Sequence, residues 1–335
     1  MKPCSLPCLF ALLTPWLACA QTTIFDDTFG NSTMNDSSPA SPTATSANYD
    51  IASGKNATSS SISAGDLKIA MASTSGSLVE AQALFTTTPV TLASTGDYIE
   101  FTATFKDTAN IMLGGTQGAL WTGLFNSGGS SPLTGLNNGG LNTASGSALA
   151  TGGTANWQGY AAALTGGSGA NTIATRPQQN GPGTASINQE LLGNGIVSAA
   201  SYDNPAGAKI NSSSSTFGGL TTGSTYTIDL KITYTSGTTP SLSLDYDLYS
   251  GSSATGTAID AEEATAIGTN ILTTTFDGFS LGERYSSSTA AASSMDVSQI
   301  LVTDQIAAVP EPGTFGLVVI GALTWACRRK MPIGK

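Results

Sequence analysis

Without histidine, and without cysteine between residues 21 and 309, this chain must do any chemistry with Asp, Glu, Tyr, Lys or Arg. Its 335 residues hold no histidine, and the four cysteines (Cys4, Cys8, Cys19 and Cys327) lie near the ends. That composition removes Ser-His-Asp triads, imidazole proton transfer and His-ligated zinc. It also removes thiol nucleophiles and thiolate metal sites from the long central segment.

Three groupings remain. Asp245 and Asp247 stand two apart in a segment that alternates polar and apolar residues, so both carboxylates fall on one face of a strand. Paired carboxylates suit Ca²⁺, a hard cation that takes six to eight oxygen ligands, although one strand supplies too few of them. A solvated outer sheet face explains the same pair. Glu262-Glu263 is the nearest thing to the paired acids of a glycosidase, but adjacent residues do not present two carboxyl groups across a cleft. Trp121 and Trp157 each border a glycine-rich stretch and are candidate sugar-stacking platforms. Their alternative role is core packing, where large aromatics of alternating strands usually go.

The central segment carries 21 of the 22 acidic side chains and only seven of the 12 basic ones. So acidic a surface disfavours nucleic acid and anionic lipid, both of which need a basic footprint. It is compatible with divalent cations and neutral glycans.

The elements that would position these groups are strands. Tyr98–Lys106 puts Ile99, Phe101, Ala103 and Phe105 on one face and Glu100, Thr102, Thr104 and Lys106 on the other. Thr225–Thr235 and Ser241–Ser250 alternate in the same way, and the loop between them contains Gly237 and Pro240, which predicts a hairpin. Shorter candidates are 24–29, 67–72, 79–85, 120–125, 157–164, 276–282 and 295–303. The stretch 260–266 reads as one helical turn. Residues 31–64, rich in Ser and Thr, read as a loosely ordered arm, and the glycine-rich stretches 126–154 and 165–182 as long loops. Many alternating strands without helices must pack as two sheets or close into a barrel.

Both ends carry processing patterns. Lys2, the apolar run Leu6–Leu17 and the small residues Ala18 and Ala20 before Gln21 form a secretory signal peptide over residues 1–20. A lipoprotein signal modified at Cys19 is the alternative. At the other end Pro310, Glu311 and Pro312 break regular structure. An apolar helix over 313–327 follows, and Arg328, Arg329 and Lys330 stop it. That run is short for a membrane span of about 20 residues. Basic residues just past it mark the cytoplasmic side and argue against a buried core helix. A plain tail anchor is the other reading. Breaker, apolar helix and basic stop together resemble the PEP-CTERM sorting signal of Gram-negative bacteria that make exopolysaccharide. Gly313 stands where that family more often has Ser or Thr. The resemblance implies export, a transient inner-membrane anchor, cleavage near the Pro-Glu-Pro triplet by an exosortase-type enzyme, and release to the cell surface or matrix.

The division expected is therefore a signal peptide (1–20), an all-β extracellular domain (21–308) and a sorting signal (309–335). The first strand at 24–29, the pattern Phe276–Gly282 and a closing strand at 295–303 resemble the concanavalin-like jelly rolls, β-sandwiches in which first and last strands pair. Glycosidases of that fold share a Glu-x-Asp-x-x-Glu strand motif that this chain lacks. The expectation is a non-enzymatic structural or exopolysaccharide-associating protein without a bound cofactor, Ca²⁺ at Asp245 and Asp247 being the one candidate ion. A carbohydrate-active enzyme on the same fold, and a fibrous adhesin, are the alternatives.

Overall fold

The computed structural model describes residues 20–30, 34–36, 47–54, 61–73, 78–112, 119–132, 153–167, 169–178, 191–192, 209–284 and 291–307. In chain order the strands begin with β1 (Thr22–Asp27), β2 (Asn35–Asp36), β3 (Ala47–Asn48), β4 (Asp50–Gly54), β5 (Ser61–Ser63) and β6 (Asp66–Met71). Next come β7 (Leu78–Leu84), β8 (Val90–Thr91), β9 (Tyr98–Ala109), β10 (Ala119–Asn126), β11 (Gln158–Thr165), β12 (Ala170–Arg176) and β13 (Lys209–Ser214). The last are β14 (Thr225–Thr235), β15 (Ser241–Ser250), β16 (Asp260–Ile267), β17 (Thr275–Phe276), β18 (Gly278–Arg284) and β19 (Ser293–Gln305).

They form two large antiparallel sheets. The first runs β16-β15-β14-β9-β19-β6-β5, with β1 also on β19, and the second runs β13-β12-β11-β10-β18-β7-β4. The alternation in β9 is realised as read, with Ile99, Phe101, Ala103 and Phe105 all buried. The β14–β15 hairpin pairs Tyr226 with Ser250 through to Thr235 with Ser241. The first and last long strands pair, Thr22 opposite Asp304 and Asp27 opposite Ile300.

The inner faces close on each other. Phe279 of the second sheet packs against Phe101 and Phe25 of the first, at ring-centroid distances of 5.1 and 5.8 Å. Tyr246 crosses the same gap and donates its hydroxyl to Thr122 Oγ1 at 3.2 Å. Each fully buried Phe contributes about 1.5–3 kcal/mol through burial alone, so this seam holds the sandwich together.

Three expectations are corrected. The stretch 260–266 is the strand β16 rather than a helical turn, because Asp260–Ile267 finds a full-length partner in β15 and its burial alternates. The stretch 165–182 is not one long loop, since Ala170–Arg176 is a strand between β11 and β13. Asn171, Ile173 and Thr175 alternate with Thr172, Ala174 and Arg176 there, but few of these side chains are large enough to signal a core face. Within 31–64, Asp50–Gly54 pairs with β7 and Ser61–Ser63 with β6, so these parts of the arm belong to the sheets. Most of 126–154 lies outside the described residues.

The chain divides into Gln21–Ile306 and a unit of the two terminal segments, Met1–Ala20 with Ala307–Lys335. Of the signal-cleavage residues, Ala20 is described and exposed, while Ala18 lies outside the described residues. Pro310, Glu311, Pro312, the 313–327 helix, Arg328, Arg329 and Lys330 lie outside them too. Among the described residues, no helix is long and apolar enough to cross a membrane.

Candidate functional site

The outer face of the second sheet is where the two tryptophans lie, and the structure closes it. Pairing of β10 with β11 and β18 sets Trp121 between Ala163 and Gly282, and Phe125 between Gly159 and Gly278. This floor of small residues leaves room for rings to lie flat. Trp157 covers Gly278 so closely that a Cβ there would sit 2.4 Å from the indole. Its ring also meets Phe125 at 6.2 Å, and its Nε1 donates to Ser130 O at 3.1 Å. Trp157 is 0 % exposed and Trp121 9 %.

The sugar-platform expectation is therefore corrected for Trp157. Its indole belongs to a second apolar cluster with Trp121, Phe125, Leu191 and Leu192, and burial leaves no face to stack on. Gly278→Ala should cost about 1–3 kcal/mol by overpacking this slab. Chemical denaturation of the variant checks that loss.

Glu80 ties the cluster shut. Both of its carboxylate oxygens accept backbone N–H groups, from Leu191 and from Leu192, each at 2.8 Å, and Gln82 Nε2 donates to it as well. Burial pushes its pKa up to about 7, against the pull of those donors and of Arg176. Arg176 is itself buried and donates to Thr154 O at 2.8 Å, pinning the short turn Gly153–Asn156 that delivers Trp157. Sequence reasoning missed Glu80, Arg176 and the two leucines. Nothing in a lone Glu between small residues announces a buried clamp 111 positions from its partner.

The outer face of the first sheet is polar and acidic. Asp245 and Asp247 share it, as their spacing requires. Strand pairing sets Glu100, Lys231, Asp245 and Glu263 side by side across four strands. It sets Asp229 directly opposite Asp247. Asp229 is 9 % exposed, and its pKa is pushed to about 8, first by burial and then by Glu100 and Asp247. Asp245 and Asp247 are raised too, burial leading in both. The cation within this acidic row is Lys231, whose Nζ lies 3.5 Å from Glu100 Oε1 and 3.8 Å from the centre of the Tyr98 ring. Among the described residues, no three acidic, His or Cys side chains converge on one point as a closed metal cage. Hydroxyls complete the face, with Thr104 and Thr227 in mutual contact at 3.2 Å and Tyr249 donating to Asp247 Oδ2 at 3.2 Å.

Glu262 and Glu263 do not act together, because they take opposite faces of β16. Glu262 is buried and accepts a hydrogen bond from Ser213 Oγ, whereas Glu263 is exposed. Glu283 lies buried at the end of the sandwich interior, where Ser293 Oγ donates to it. Burial lifts its pKa to about 8, with Asp107 adding to the rise. A cleft of about 580 Å³ beside β1 and β19 is lined by one ionisable group, Asp304.

Residues 308–330 match the PEP-CTERM protein-sorting motif. The chain thus carries a C-terminal sorting signal of an exported protein, processed by an exosortase-type system. No curated protein matches the chain. Among solved structures, the Emp47p carbohydrate recognition domain is similar at 11% identity and a TM-score of 0.39, over 86% of this chain and 99% of that one. An endo-1,3-beta-glucanase from Streptomyces sioyaensis is similar at 12% and 0.42, over 85% and 97%. Lectin II from Ulex europaeus is similar at 13% and 0.35, over 86% and 99%. Likenesses this distant bear on neither ligand nor chemistry.

Proposed function

We propose that this is a non-catalytic surface or matrix protein of a Gram-negative bacterium, structural or exopolysaccharide-associating in role. The observation that carries the reading is the sorting motif at 308–330. An N-terminal signal peptide exports the chain, the tail holds it briefly in the inner membrane, and cleavage near Pro310-Glu311-Pro312 releases it outside. A non-catalytic role is favoured because Glu262 and Glu263, the adjacent glutamates nearest to a glycosidase pair, are split between opposite faces of a strand. The hydroxyls and carboxylates of the first sheet's outer face suit a wet, modest-affinity contact with a hydrated polysaccharide through bridging waters.

Intact-mass measurement of the protein recovered outside the cell tests the processing. The expected chain starts near Gln21 and ends near the Pro-Glu-Pro triplet. Released, lipid-free protein that retained Thr314–Lys335 would overturn the cleavage. Co-sedimentation with exopolysaccharide from the same cells tests the association, and free protein left wholly in the supernatant would remove it.

A further inference from the structure

We propose that Asp229 and Glu100, backed by the charge of Asp247, form an open binding site for Ca²⁺ on the outer face of the first sheet. Four observations converge on it. Asp229 Oδ1 is buried and accepts no hydrogen bond among the described residues. Glu100 lies diagonally across the β9–β14 ladder from Asp229 on the same face, a spacing that long side chains span. Asp247 stands directly across the β14–β15 ladder from Asp229, and like charges so placed repel unless a cation intervenes. The neighbouring lysine, Lys231, lies on the Tyr98 ring and beside Glu100 Oε1.

The ion class follows from the donors. All are hard oxygens set at irregular positions on a twisted sheet, which suits Ca²⁺ with its flexible six to eight ligands better than octahedral Mg²⁺. Asp229 and Glu100 supply the protein ligands and water completes the shell, consistent with the lack of a three-residue cage among the described residues. A site of this kind belongs with the weak extracellular calcium sites, whose dissociation constants are about 10⁻⁴–10⁻³ M. It differs from the Asp245 and Asp247 pair legible in the sequence. Its central residue is a buried aspartate, and its partner Glu100 lies on another strand.

The test is a thermal melt of the exported protein at pH 7.5 with calcium added at constant ionic strength. With a dissociation constant of about 1 mM, 10 mM Ca²⁺ shifts the folding equilibrium about tenfold and raises Tm by about 3 °C. Asp229→Asn and Glu100→Gln should each abolish the shift, while Asp245→Asn, on the same face but outside the pair, should retain it. Absence of any shift in the wild-type protein overturns the proposal. So does a full shift in Asp229→Asn, which would place the ion elsewhere. Should Asp229→Asn fail to fold, Glu100→Gln decides by the same readout.

Discussion

Raising the pH from 5 to 8.5 should lower the melting temperature of the exported protein by about 10 °C, the reverse of the usual carboxylate behaviour. The cause is a set of buried acids whose pKa values lie above their ordinary ones: Glu80 at about 7, Glu283 at about 8 and Asp229 at about 8. A carboxyl with a raised folded-state pKa holds its proton in the native chain after the unfolded chain has released it. Between about pH 4 and 8 the native state therefore binds more protons, and stability falls as pH rises. The contribution is fully present below the ordinary values near 4 and is gone above 8. For Glu283 the difference corresponds to on the order of 5 kcal/mol, at 1.36 kcal/mol per pH unit. Glu283→Gln isolates the term. It keeps the volume and an acceptor for Ser293 but cannot ionise, so it should match wild type at pH 5 and melt several degrees higher at pH 8.5. A melting temperature that is flat or rising across this range would show that these acids ionise in the native state without penalty.

Trp157→Ala should cost about 3–5 kcal/mol, the usual range for deleting a buried Trp, and lower Tm by roughly 10 °C. The indole is fully buried, seats directly on Gly278, packs against Phe125 and spends its N–H on Ser130 O. Removing it leaves a cavity that the flat glycine floor cannot collapse to fill. Any exopolysaccharide retention should survive in the fraction that stays folded. Measuring melting and retention on one preparation separates the outcomes. Selective loss of retention at unchanged Tm would return Trp157 to the role of a binding platform and refute its place in the second cluster.

What the sequence by itself determined were the properties carried by neighbours along the chain. Period-two alternation is local, and it specified the faces of β9, β14 and β15, because successive strand side chains point opposite ways whatever the partner strand. Alternation without helices required a layered β architecture. The sorting motif at the C-terminal end is a linear pattern, which is why it was legible without a structure. With no histidine, and no cysteine between residues 21 and 309, that segment needed no structure to exclude their chemistry.

Tertiary structure decided everything that depends on distant partners. Asp260–Ile267 has helix-tolerant Ala and Glu residues, and only the edge of β15 made it a strand. By sequence Trp157 fitted the core, where such aromatics usually go, as well as a surface platform, and the slab of glycines assembled from β10, β11 and β18 decided for burial. Glu80 became a clamp because Leu191 and Leu192 come to it across more than a hundred residues. Asp229 and Glu100, far apart in the chain, meet through the pairing of β14 with β9. Burial and electrostatic coupling are properties of that packing. A carboxylate reads the same in sequence whether it faces water or its own kind, and the desolvation that distinguishes the two exists only once the sheets have closed.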